Sequence, residues 1–78
     1  MAIAVTSARQ NLAINLKALR LKKNLSQEGL AFEAGLHRTF IAHVERGVRN
    51  ISIDNIDRLA NALGTTASEL LKEPDPAV

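Results

Sequence analysis

Residues 26–47, SQEGLAFEAGLHRTFIAHVERG, describe two short helices joined by a tight turn. Ser26 is placed to accept from the N–H groups of the turn that follows it, and apolar Leu30, Ala31 and Ala34 then recur at helical spacing until Gly35. Glycine admits the left-handed backbone that a sharp stop needs. A second helical run follows, with Leu36 as its anchor, Ile41 and Val44 pointing inward, and Arg46-Gly47 as its end. Between those anchors His37, Arg38, Thr39, Phe40, Ala42 and His43 are left available on the outer side.

Two helices, about three turn residues and a polar, exposed second helix make a helix-turn-helix, an arrangement suited to placing its second helix in the major groove of DNA. The charge distribution supports that use. Net charge is only +2, yet residues 1–49 hold eight Lys/Arg against three acids (Glu28, Glu33, Glu45), while residues 50–78 hold two against five (Asp54, Asp57, Glu69, Glu73, Asp75). The basic part contains the two-helix unit, as a phosphate-binding surface requires, and the acidic part should face away from a polyanion. A solvated surface with uneven charge is the competing reading of this feature.

Outward from this unit the pattern is helical on both sides, with no strand. Ser7 and Gln10 have capping-box spacing and open a first helix that reaches about Lys23, with Leu12, Leu16 and Leu19 facing the core. Asn24 ends it, since Asn tolerates the left-handed conformation. Ile14 and Leu21 fall on the opposite face, to be covered by Ile3 and Val5 or left partly exposed. Gly29 inside helix two costs about 1 kcal/mol relative to Ala, with no reason visible at this level. Ser52 caps a fourth helix whose Ile53, Ile56, Leu59, Ala60 and Leu63 form one apolar stripe closed by Gly64. Thr66 and Glu69 form a capping box for a short fifth helix carrying Leu70 and Leu71, which Pro74 and Pro76 terminate. The expectation is one all-α domain over residues 1–78, its core at about 8–73 and a tail at 74–78.

Other chemistries are poorly served. With no cysteine in 78 residues there are no disulfides, thiolate metal sites or cysteine nucleophiles. His37 and His43 are six apart, about 240° around a helix axis, and do not converge on a metal as an i, i+4 pair does. Asp54 and Asp57 share a face but sit well at a helix start for simple dipole reasons. No glycine loop cradles a phosphate. We therefore expect no enzyme, no catalytic residue, no metal and no cofactor, and no small-molecule ligand. No apolar run approaches the roughly 18 residues of a membrane span, and the N-terminus lacks signal-peptide features, so no membrane partner and a cytoplasmic location are expected.

From about Leu12 to Leu71 the chain resembles the XRE family of helix-turn-helix proteins, which includes phage lambda-type repressors and Cro. The resemblance is carried by LKALRLKKNLSQEGLAFEAGL (16–36), HVERG (43–47) and IDNIDRLANALG (53–64). Within the family, LHRTFIAHVERGVRNISIDNI (36–56) most resembles the small controller proteins of restriction-modification systems, with Phe40 standing where Tyr is more usual. The resemblance implies a compact, five-helix, lambda-repressor-like domain, a transcription regulator acting as a homodimer, and autoregulation by activation followed by repression. RNA polymerase becomes a further partner if the protein activates. A phage-type repressor and an antitoxin's DNA-binding unit are alternatives in the same class. A protein-interaction module docking through Ile14 and Leu21 is the alternative from another.

Residue roles follow from the resemblance together with side-chain chemistry. Gln27 resembles the family's phosphate-anchoring glutamine, with helix capping as its competing role. Arg38 and Thr39 are the candidate base readers, Arg by bidentate bonds to guanine and Thr by hydroxyl or methyl contact, joined by Phe40 and His43. A buried Phe40 bracing the turn and a merely solvated His43 are their alternatives. His37, Arg46, Arg49 and Asn50 are candidates to hold the phosphate backbone. Arg20 and Glu45 match a pair that in this family bridges helix one to the end of helix three. The double-stranded operator is expected to be pseudo-palindromic, read by two recognition helices about 34 Å apart. A chain this small buries only about 60–65% of its unfolded surface, so association helps it. Ile51, Ile53, Ala67, Leu70 and Leu71 are the expected dimer interface, because adjacent leucines cannot both face one core.

Overall fold

The structure is a computed structural model that describes residues 7–74, so the positions of Ile3, Val5 and Pro76 lie outside the described residues. Five helices follow one another: α1 (Ala8–Lys22), α2 (Gln27–Ala34), α3 (Arg38–Glu45), α4 (Ile53–Leu63) and α5 (Ala67–Leu71). Among the described residues there is no strand.

Local chemistry sets where each helix starts and stops. At α1 the Ser7 hydroxyl accepts from the Gln10 N–H at 3.1 Å, and the Gln10 side chain accepts in return from the Ser7 N–H at 3.0 Å. Asn24 takes the left-handed conformation with φ 58°, and the Leu25 N–H donates back to the Arg20 carbonyl at 3.0 Å. Those bonds satisfy carbonyls that the end of α1 would otherwise leave open. The same left-handed stop recurs at Gly35 after α2 and Gly64 after α4. Ser26 caps α2 by accepting from the Gly29 N–H at 2.9 Å. A Cβ built at Gly29 would stand 3.2 Å from that Ser26 hydroxyl. This supplies a reason for the glycine: a side chain there presses on the cap of its own helix.

The core gathers one face of every helix: Leu12 and Leu16 from α1, Leu30, Ala31 and Ala34 from α2, Ile41 and Val44 from α3, Ile56, Leu59, Ala60 and Leu63 from α4, and Leu70 from α5. Leu19, Leu25, Leu36 and Phe40 pack partly against it. Two expectations need correction. Ile53 does not belong to the core stripe of α4 but is 75% exposed, because no other element covers it at the first position of the helix, and the buried stripe begins one turn later at Ile56. Leu70 is fully buried and offers no surface to a partner, leaving Leu71, half-buried, as the leucine of the pair that reaches outward. Ile14 and Leu21 are exposed on α1.

The α2–α3 turn depends on Gly35, whose φ of 71° is one that residues with a Cβ avoid. Gly35→Ala is expected to cost about 1–2 kcal/mol, read as a lower urea midpoint with an unchanged slope.

Candidate nucleic-acid interface

Three residues, Gly35 to His37, separate α2 from α3, and they aim the start of α3 outward. His37 is the N-cap residue of α3 but makes no side-chain capping bond, so its ring is not spent on the helix end. Arg38 and Thr39 occupy the exposed first turn. Opposite them Ile41 and Val44 are sealed in the core, which fixes the rotation of α3 about its own axis. His43, four residues after Thr39 and half-buried, continues the outward face.

Phe40 is partly buried at the edge of the core, and the Arg49 guanidinium lies over its ring, 5.2 Å from the centroid. This contact ties the loop after α3 to α3 itself by a cation–π attraction. Gly35, Leu36, His37, Thr39, Phe40, Arg49 and Asn55 line one open groove beside the helix. The structure therefore brings His37, Thr39, Phe40 and Arg49 together. Asn55, from the first turn of α4, joins them, and nothing in its sequence context had singled it out. Arg38 and Arg46 are exposed at the two ends of α3.

Arg20 is buried on α1 and forks onto Glu45, Nε donating to Oε2 at 2.6 Å and Nη2 to Oε1 at 3.0 Å. Its Nη1 donates to the Leu25 carbonyl at 2.8 Å. The side chains are only 9% and 4% exposed, so the pair is held away from water. Hydrogen bonding to Glu45 raises the Arg20 pKa above the usual arginine value, against the opposing effect of burial. Gln27 belongs to the same cluster: its Nε2 donates to Glu45 Oε1 at 3.2 Å. One amide hydrogen of Gln27 is thereby engaged at the foot of α3, and the second is left for an outside acceptor. Asn50 also has an internal role, its Oδ1 accepting from Arg9 on α1, a partner that only the folded chain reveals because 41 residues separate the two.

Among the described residues no three His, Cys, Asp or Glu side chains come together to hold a metal ion, and no helix is long and apolar enough to cross a membrane. What the surface offers is a rigid helix with basic and hydrogen-bonding side chains along its outer face.

A family model described as helix-turn-helix matches residues 16–70. The chain belongs to the helix-turn-helix family. Among its relatives, the control protein C.BamHI of Bacillus amyloliquefaciens is 53% identical over 57 residues, covering 72% of this chain and 70% of the relative. The crystal structure of the restriction-modification controller protein C.AhdI from Aeromonas hydrophila superposes with a TM-score of 0.76 at 47% identity, over 80% of this chain and 94% of that one. A hypothetical transcription factor from Neisseria gives a TM-score of 0.83 at 39% identity, over 95% of this chain and 88% of that one. This helix-turn-helix protein thus has the lambda-repressor-like fold and the transcription-regulator family that its residues 16–64 resemble.

Removing one member of a buried ion pair strands the other. Arg20→Ala and Glu45→Ala are each expected to cost about 3 kcal/mol or more, whereas replacing both by apolar residues of similar size costs less. Urea denaturation of the two single variants and the double variant checks this, with the double better than either single as the expected order.

Proposed function

We propose that the protein is a homodimeric, sequence-specific transcription regulator that reads a pseudo-palindromic operator and serves as the controller of a restriction-modification system. The observation that carries DNA reading is the pose of α3: sealed by Ile41 and Val44 on one side, tied by Glu45 at its end, and presenting Arg38 and Thr39 at its exposed start. Kinship with control proteins such as C.BamHI supports the controller role, and autoregulation comes with it.

In this reading Arg38 and Thr39 touch base edges in the major groove, with Phe40 and His43 beside them. His37, Arg46, Arg49 and the second amide hydrogen of Gln27 hold phosphate oxygens and set register without reading sequence. Asn50, held by Arg9, adds its amide hydrogens to the same strand contact. Two protomers meet through Ile51, Ile53, Ala67 and Leu71, which places two copies of α3 about one turn of DNA, or about 34 Å, apart. Exposed Ile53 supports this assignment, because an isoleucine at the start of α4 gains most when a second apolar surface covers it. The whole chain acts as one DNA-binding domain in the cytoplasm, with RNA polymerase as its partner where it activates.

Binding to duplex DNA is expected to weaken steeply as salt rises, since each phosphate contact releases counterions. On the selected site, Arg38→Ala is expected to cost about 1–3 kcal/mol and to relax discrimination at one base pair, whereas Arg49→Ala weakens all sequences alike. Fluorescence anisotropy on operator and scrambled duplexes at several salt concentrations distinguishes these effects. No binding at low salt, or a flat salt dependence, contradicts the proposal.

A further inference from the structure

The fifth helix is too short to look after itself. A five-residue helix has hardly any internal hydrogen bonds, and the last four carbonyls of any α-helix lack partners within it. Helices α1, α2 and α4 end on a left-handed residue that turns the next N–H groups back onto those carbonyls, but α5 passes directly into extended backbone at Lys72, with ψ 159°. Its carbonyls are met instead from another helix. Asn11 donates its side-chain amide to the Leu71 carbonyl at 3.1 Å, and Asn15 donates to Leu70 at 2.9 Å and to Lys72 at 2.8 Å. These two asparagines are four residues apart on α1 and so share one face, beside the Leu12 and Leu16 stripe that packs on the core. Asn11 is itself a buried polar residue of the fold.

We infer that Asn11 and Asn15 are positioning residues for self-association: they act as an external C-cap that holds α5 in the pose in which Leu71 and Ala67 meet the second copy. The inference rests on the homodimer reading above. Leu70 is the one fully buried side chain of α5, and Ala67 and Leu71 pack only partly against the core, so apolar contact by itself leaves this short helix room to pivot. Two side-chain amides spread over three consecutive carbonyls remove that freedom and fix the direction in which Leu71 points. Leu71 in turn borders a groove with Ala8, Leu12, Ile51 and Ile56, so a rotation of α5 would break the continuity of the patch offered to the partner. The same α1 carries Arg20, five and nine residues further along, about 8–14 Å by helical rise. One rigid helix therefore sets both the helix that pairs protomers and the helix that reads DNA, and the distance between two recognition helices is built into it.

The test compares Asn15→Leu, which keeps size and removes the donor, with Leu71→Glu, which attacks the proposed interface directly. Sedimentation equilibrium gives the dimer constant, backbone hydrogen exchange reports α5, and binding to a duplex carrying one half-site reports α3. N15L is expected to weaken the dimer about tenfold or more and to speed exchange at the Leu70 and Leu71 amides. Exchange in α2 and α3 and half-site affinity should stay as in the parent. Asn11→Ala, which removes the bond to the Leu71 carbonyl, should show the same pattern and serves if N15L does not fold. A dimer constant unchanged in N15L and N11A while L71E dissociates the protein overturns the positioning role and leaves the homodimer standing. A parent chain that sediments as a monomer overturns both.

Discussion

The orientation of the recognition helix hangs on one guanidinium. Arg20 reaches from α1 to Glu45 at the last residue of α3 and to the carbonyl of Leu25 in the turn before α2, while Gln27 at the first residue of α2 joins the same carboxylate. The end of α1, the start of α2 and the end of α3 thus converge on one pair of charges. Buried charges contribute little net stability, because desolvation offsets their attraction, but they tolerate few alternative arrangements. A two-pronged Arg–carboxylate contact is more selective still, since both bonds need the planes aligned. The pair specifies where the end of α3 lies; the apolar contacts of Ile41 and Val44 supply most of the energy that keeps it there.

From that constraint the DNA-facing surface follows. With one side of α3 sealed and its end tied, Arg38 and Thr39 are held on the outer side of the helix, and the Arg49–Phe40 contact draws the next loop alongside. Gln27 belongs to this network as well: its amide donates one hydrogen to Glu45, which leaves the second for an acceptor outside the fold. The acids remaining on the basic part of the chain outside this network, Glu28 and Glu33, lie on the exposed side of α2 with Phe32.

Much of this was legible in the sequence because much of it is local. Caps at Ser7, Ser26, Ser52 and Thr66 and stops at Asn24, Gly35 and Gly64 involve residues within a few positions of one another, and helical periodicity names most of the core, wrongly adding Ile53 and missing Ala13. The reading failed where the answer lies across the fold. Periodicity put Ile53 in the core stripe, but whether another element covers the first turn of α4 is a tertiary matter. Adjacent Leu70 and Leu71 announced two destinations without saying which leucine took which. Asn11, Asn15 and Arg9 look like ordinary polar positions of α1; their partners are 60, 55 to 57 and 41 residues away, and no local pattern points to them. Arg20 and Glu45 could be paired in advance only through family resemblance.

If two braced helices read DNA together, the protein should select a dyad. Selection of bound duplexes from a random pool tests this most directly. The account predicts enrichment of two inverted half-sites centred about 10 base pairs apart, with the strongest preferences inside each half-site. Enrichment of a single unpaired half-site, or of no sequence above background, contradicts it.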